Sequence, residues 1–452
     1  MASTNFHEQT YRRALGDGLV LRWSMMQDLE QIQKLYSFVF RDKADEPLNQ
    51  HIVAWVRDMM SNQHPLTGSE DFALVEDINK GIVVAATCLM KQSWNYAGIS
   101  LPVGRPEIVA TMPEYRNRGL IRAIFELMHA RSEHRGDFAQ GITGIYYYYR
   151  QFEYEYALDL GGGCNLPFTA VPKLKEDQTE AYTLRPATPD DIPTVLNLYN
   201  QERAHMAIST DIDAEYWHYS LDGHSPESGE GWLTFMIVDK DQHTIGYTVA
   251  RRLRWGHILG INGMYVKEGR SLAAVMPSML RALQKHAEKT PGWKPDSPPA
   301  AYFQFSFGRH HPVYATLQQA STIHRPPYAW YVRVPDLPAF IRQVTPVLEQ
   351  RIADSIFAGH TGELLMDFYR GGLRLVFEDG KLTTVEDWQR DHNWGKEAQC
   401  GFPPQVFLQL LFGHRSLTEL RHAFMDVWAN DDGRTLLEVL FPAQLAWVTP
   451  LD

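Results

Sequence analysis

The chain repeats itself. Leu21-Arg22, Asp28, Leu35 and Tyr36 return 163 residues later as Leu184-Arg185, Asp191, Leu198 and Tyr199, and Leu29 and Ile32 meet Ile192 and Val195 at the same spacing. Each copy reads as a short strand ending in Leu-Arg, then a helix opening near the aspartate. In the second copy Thr188-Pro-Asp-Asp191 supplies the helix-start signal. A chain of 452 residues is too long for one core. The repeat therefore predicts two similar units in tandem, 1–172 and 173–332, followed by a third region, 333–452.

The third region changes pattern. Glu363–Tyr369, Leu373–Phe377 and Lys381–Val385 read as a meander of strands, joined by the turn signals Arg370-Gly-Gly372 and Asp379-Gly380. An apolar helix is predicted over Pro403–Phe412. Ser416-Leu-Thr-Glu419 has capping-box spacing and opens another.

Charge and cysteine content narrow the functional classes. A formal net charge of −11 argues against nucleic acid and favours cationic partners. Three cysteines, Cys88, Cys164 and Cys400, lack paired spacing, which fits a reducing cytoplasm rather than a disulfide framework or a cysteine zinc site. His310 and His311 have no third ligand at sensible spacing, so no metal is expected. The opening Met1–Glu8 has no apolar core of the signal-peptide kind, and no uncharged apolar run approaches a membrane span. A soluble, cytoplasmic protein is expected.

Chemistry concentrates in Glu107–Met128. Ile108–Met112 is a short apolar run stopped by Pro113, consistent with a strand. From Leu120 the apolar positions Leu120, Ile121, Ile124, Leu127 and Met128 mark one face of a helix. Between them lies Arg116-Asn117-Arg118-Gly119. A helix start leaves N–H groups without intrahelical partners and carries partial positive charge, so an anion is welcome there. Gly119 has no Cβ, so phosphates can approach the main chain. The Gly-Lys-Ser/Thr ending of a nucleotide phosphate loop is missing, as is Gly-x-Gly-x-x-Gly. The details favour coenzyme A over a nucleotide.

The loop resembles the acetyl-CoA loop of the GNAT acetyltransferases, Gln/Arg-x-x-Gly-x-Gly/Ala, with Arg116 and Gly119 in register and Ile121 at the place of the last small residue. Gly141–Tyr154 resembles the later motif of that family, a tyrosine just ahead of a Phe-Gly-Tyr/Phe turn. Tyr149 is then the tyrosine whose hydroxyl would face the thioester sulfur, and Glu153 replaces the usual glycine. The second copy keeps a strand and a helix over Gly260–Val275 but has no Arg-x-x-Gly, and Phe307–Tyr314 stands where the tyrosine motif should be.

In order, an active GNAT unit, a degenerate one and a sterol-carrier-like α+β domain resemble the Eis (enhanced intracellular survival) acetyltransferases. The match rests on the Arg116–Arg122 loop, on Tyr149-Arg-Gln-Phe152 and on Phe407–Leu417. The resemblance implies an α/β and α+β architecture, acetyl-CoA as co-substrate and a small amine such as an aminoglycoside as acceptor. It also implies a homo-oligomer, a hexamer, with no nucleic-acid or membrane partner. By it, Val109, Ala110 and Thr111 line the pantetheine and Asn117, Arg118, Gly119, Leu120, Ile121 and Arg122 join Arg116 at the pyrophosphate. Tyr149 is the general acid and the terminal carboxylate of Asp452 the base. A water relay or a glutamate is the alternative base. The tail carries Leu445, Trp447, Val448 and Leu451 and is expected to dock. Two other functions stay open: acetylation of protein lysines, and a binding protein for lipid or CoA without catalysis.

Overall fold

The computed structural model describes residues 5–451 apart from 42, 44, 318–320 and 391–396. Among them the strands form three sheets. The first begins as an antiparallel meander of β1 (Arg12–Gly16), β2 (Leu19–Trp23), β3 (Phe72–Asp77), β4 (Ile82–Tyr96) and β5 (Ile99–Thr111). Next to β5 lies β6 (Ala139–Ile142), parallel to it. Helices α1 (Leu29–Val39) and α2 (Gln50–Met60) cover one face, with Ile32, Leu35, Val56 and Met59 packed on Phe72, Leu74 and Ala86. The other face belongs to α3 (Leu120–His134), which buries Leu120, Ile124, Phe125, Leu127 and Met128 at the expected helical period.

Sheet membership does not follow the expected borders at 172 and 332. After β7 (Glu155–Leu160) the chain crosses over, and Gly163–Pro167 joins the seven-stranded second sheet. Much later Tyr328–Arg333 comes back and inserts antiparallel between β6 and β7. Trp330, Tyr331 and Val332 are fully buried there. Successive side chains of a strand point to opposite faces, so this strand is covered on both sides. Neither unit can complete its sheet without a strand from beyond the other's boundary. The crossing is non-local, and a local reading of strand signals cannot see it.

The repeat survives as a local structure. Arg22 donates from both terminal nitrogens to Asp28 at 2.7 Å, and Arg185 does the same to Asp191 at 2.6 and 2.7 Å. Each aspartate also accepts the N–H of the residue three before it, Met25 at 2.8 Å and Thr188 at 2.9 Å. One side chain thus ties a strand end to a helix start in both copies.

The third region has a five-stranded sheet, and the meander Gly362–Asp367, Gly372–Glu378, Lys381–Asp387 appears as predicted. Asp379 and Gly380 both have positive φ (49° and 77°), as a tight hairpin turn requires. Ser416 and Glu419 form their capping box. The apolar helix is shorter than expected, Phe407–Leu411, because Gln405 adopts φ of 64° and keeps Pro403 and Pro404 outside it. This region shares a core with the first sheet: Trp94, Tyr96, Leu101 and Val103 pack with Phe340, Leu348, Phe412 and Val448. The Tyr96 hydroxyl donates to the Leu411 carbonyl at 2.7 Å.

The two arginine–aspartate clamps differ in burial. The Arg22 and Asp28 side chains are both 8% exposed, whereas Arg185 is 40% exposed. Removing one partner of a buried pair strands a charge at about 3–5 kcal/mol, against about 1 kcal/mol or less at the surface. Arg22→Ala is therefore expected to lower the urea midpoint well beyond Arg185→Ala; equal losses would contradict the burial argument. The Arg185 guanidinium holds Asp191 down to about 2, below its ordinary 3.8. The stabilisation from that carboxylate is thus present above about pH 4 and lost as pH falls toward 2.

Candidate active site

Where β5 and β6 part, a gap opens. They pair only at Val103 with Ala139 and Gly104 with Gln140. Beyond Gly104 no described strand flanks β5 on that side, so Glu107–Thr111 presents an unpaired main-chain edge. On the other side the β4 pairing skips from Ala86–Ala110 to Cys88–Glu107, and Ile108 has φ of 54°. This bulge bends the strand away from β6. Ile108 and Ala110 turn into the core, while Val109 and Thr111 are half-buried. The Thr111 hydroxyl is buried with no hydrogen-bond partner among the described residues. An extended ligand bearing amides fits such an edge, since it can pair as a strand would.

The chain then runs through a short turn, Pro113–Tyr115, into Arg116-Asn117-Arg118-Gly119, all exposed. Asn117 and Gly119 have positive φ of 61° and 74°. An alanine at Gly119 would meet no neighbour, so its glycine answers to the backbone angle and to an open approach from outside. No side chain caps α3 and no acidic residue lies in its first turn, which leaves the positive end of the helix bare. Leu120 is buried and Ile121 packs on the core, so these two offer main-chain N–H groups alone. Arg118 reaches Asp17 at 2.6 Å and Arg122 reaches Gln151 at 3.0 Å. The Arg116 side chain has no partner among the described residues. Three guanidinium groups and a bare helix end around one loop suit a diphosphate.

Tyr149 closes the mouth of the gap. It lies on the 3₁₀ turn Tyr148–Phe152, 3% exposed, stacked on Phe125 of α3 and edge-on to Tyr331. Gly144, two residues past β6, has φ of 138°, and a Cβ there would sit 3.5 Å from the Tyr149 hydroxyl. Among the described residues that hydroxyl has no hydrogen-bond partner. Burial raises it well above its ordinary 10, with smaller contributions from Glu107, Tyr148 and Tyr328. Glu153, where the resembled motif has glycine, takes φ of 69° all the same and pairs with Arg333 at 3.3 Å.

The tail docks beside this mouth. Ala446–Trp447 pairs in parallel with Ile208–Thr210 at the end of β4. The Trp330 indole N–H donates to the Val448 carbonyl at 3.1 Å, and Val448 and Leu451 are buried. Arg105, 3% exposed, donates one nitrogen to the Leu451 carbonyl and another to Glu107. Glu107 also accepts the Ile108 N–H at 3.0 Å, bracing the bulge. Asp452 lies outside the described residues.

Sequence reasoning passed over Arg105, Glu107, Trp330 and Tyr331. Arg105 and Glu107 share one face of a strand ending in a cofactor loop, a signal available in the sequence. The Tyr331 hydroxyl donates to the Ile145 carbonyl at 3.0 Å and meets Tyr156 at 2.6 Å, while Tyr156 accepts the Tyr147 N–H at 2.9 Å. These tyrosines fix the turn that carries Tyr149, and nothing local marks Tyr331 for that role.

Residues 22–157 match the family described as acetyltransferase (GNAT) domain. The sequence matches none of the curated proteins. The fold is similar to that of a GCN5-related N-acetyltransferase from Anabaena variabilis, with TM-score 0.65 and 16% identity over 95% of this chain and 99% of that one. It is also similar to a probable N-acyltransferase from Enterococcus faecalis, with TM-score 0.68 and 14% identity over 96% and 99%. Eis1 from Mycobacterium abscessus aligns with TM-score 0.57 and 13% identity over 95% and 99%.

Arg105 joins the tail to the bulge, which makes it the residue whose loss should free the tail. Arg105→Gln is expected to speed proteolytic trimming of the last residues severalfold, read by mass spectrometry; unchanged trimming would show that Trp330 and the apolar contacts suffice. The chain carries an acetyltransferase (GNAT) domain over residues 22–157.

Proposed function

We propose that the chain moves an acetyl group from acetyl-CoA to a primary amine of a small cationic acceptor such as an aminoglycoside. One observation carries the reading: a buried tyrosine whose hydroxyl has no partner among the described residues, Tyr149, lies against Gly144 just past β6 and close enough to Glu107 of β5 to feel its charge. The unpartnered Thr111 hydroxyl and the open Gly119 fit the co-substrate, so its site is built from residues already present. Acetyl-CoA supplies the activated acetyl thioester.

The protein's own groups do the rest. The edge Glu107–Thr111 orients the pantetheine arm and leaves main-chain donors for a developing oxyanion. Arg116, Arg118, Arg122 and the N–H groups at the start of α3 hold the diphosphate. Tyr149, kept protonated by its burial, presents a hydrogen bond to the departing sulfur. Glu107, which Arg105 links to the docked tail, accepts the proton from the amine, with the terminal carboxylate as the alternative acceptor. Its negative charge also favours a cationic acceptor.

The second and third units serve as scaffold in this reading. Tyr314, in the counterpart of the tyrosine turn, accepts the Phe307 N–H at 3.0 Å and donates to the Gly308 carbonyl at 2.9 Å, so its hydroxyl is already engaged.

Thiol release from acetyl-CoA, measured against aminoglycosides, polyamines and lysine peptides, tests the acceptor. Turnover is expected with the polycationic small amines; turnover confined to lysine peptides would move the reading to protein acetylation, and none at all would remove it. Tyr149→Phe should lower kcat by about 100-fold or more with acetyl-CoA affinity unchanged. Because the Tyr149 hydroxyl titrates above 10, wild-type kcat should show no fall below about pH 10 from loss of that proton. A Tyr149→Phe enzyme of normal kcat would take Tyr149 out of the chemistry.

A further inference from the structure

A second gap lies in the second sheet. Its parallel strands Ile258–Val266 and Tyr302–Phe305 pair from Ile258–Tyr302 to Ile261–Phe305 and then separate. Past that point Met264 and Val266 on one side and Phe307 on the other wall a cavity of about 710 Å³. Leu445–Trp447 of the tail and Gly413–Arg415 of the third region complete it. All three parts of the chain therefore contribute walls, and the volume falls in the range of about 300–1,000 Å³ usual for small-molecule sites.

The charges in the wall define what is missing. Asp159 already takes Arg309 at 2.6 Å and His414 at 3.3 Å, and Glu202 takes the Tyr247 hydroxyl at 2.6 Å and His311 at 3.3 Å. Glu419 is occupied in its capping box. Two arginines and four histidines, His205 among them, face these three carboxylates, so donors outnumber acceptors once the imidazoles are counted: His310 is exposed with no partner among the described residues, and the Arg415 side chain meets Glu419 at 3.6 Å. The body of the cavity is apolar, lined by Leu158, Met206 and Leu272 among others.

We propose that this cavity is a binding site for an amphipathic monocarboxylate with a medium-length aliphatic chain. The chain lies along Met264, Val266 and Phe307, and the carboxylate meets Arg415 and His310. A ligand seated there covers Trp447, which is four residues from the Leu451 carbonyl held by Arg105. Occupancy steadies the docked tail and so links the second unit to the mouth of the active site. The proposal is independent of what binds along β5.

The test is calorimetry of the full chain with decanoate below its micelle concentration, with acetyl-CoA titrated in parallel. Saturable binding is expected, weakened about tenfold or more by Leu272→Trp, which fills the gap, and by Arg415→Ala, which removes the charge. Both variants should bind acetyl-CoA as the parent does, which shows that they are folded and keeps this test separate from the catalytic one. Decanoate should also change tryptophan fluorescence, and that change should vanish in Trp447→Phe. No saturable heat, undiminished binding in either variant, or a fluorescence change that persists in Trp447→Phe overturns the proposal.

Discussion

The candidate active site depends on two strands that refuse to stay paired. β5 and β6 share two residue pairs and then diverge. Had they remained together, Glu107–Thr111 would spend its main-chain groups inside the sheet and no ligand could use them. The bulge at Ile108 drives the divergence from the β4 side, and Glu107 braces the bulge by accepting the Ile108 N–H. Arg105 in turn holds Glu107. A single buried guanidinium thus links the shape of the gap, the position of a carboxylate at its mouth and the seat of the tail. Its third nitrogen, Nε, is buried without a partner. Such an orphan costs about 1–3 kcal/mol and marks Arg105 as placed for more than packing.

What the sequence made legible is what short stretches decide. The helix start at Leu120, the Asp379-Gly380 turn and the Ser416–Glu419 capping box each follow from a few consecutive residues, and each stands in the structure. The paired clamps Arg22–Asp28 and Arg185–Asp191 were visible as a repeat because both partners lie six residues apart. Long-range pairings were not visible. Tyr328–Arg333 reads as an unremarkable strand, and only the fold shows that it lies between β6 and β7 and brings Tyr331 to the turn of Tyr149. The tail was readable as apolar, but its partners Arg105, Thr210 and Trp330 come from three distant segments.

The exchange of strands also bears on cooperativity. The first sheet contains Tyr328–Arg333, the second contains Gly163–Pro167, and the third region shares a core with Trp94, Tyr96 and Leu101. Units joined in this way do not present the small polar interfaces that let domains move independently. The positions of Tyr149 and of the Arg116–Arg122 loop are therefore fixed by contacts from all along the chain, as a site that works by positioning requires.

Burial of Tyr149 has a chemical consequence. A thiol in water has a pKa near about 8.5 and an ordinary tyrosine one near about 10, so a tyrosine raised further holds its proton more tightly than the departing sulfur would. In the proposed reaction, full transfer from Tyr149 to sulfur would run uphill. What a tightly held proton does well is donate a strong hydrogen bond to charge that grows nearby, in a setting where water is largely excluded. Burial then helps twice: it keeps the hydroxyl protonated across the working pH range, and it strengthens the bond to a developing negative charge. The carboxylate of Glu107, close enough to raise Tyr149 as well, would favour the approach of a cation in the proposed reaction. The carboxylate that helps burial make Tyr149 a reluctant acid thus suits the cationic acceptor of the proposed reaction.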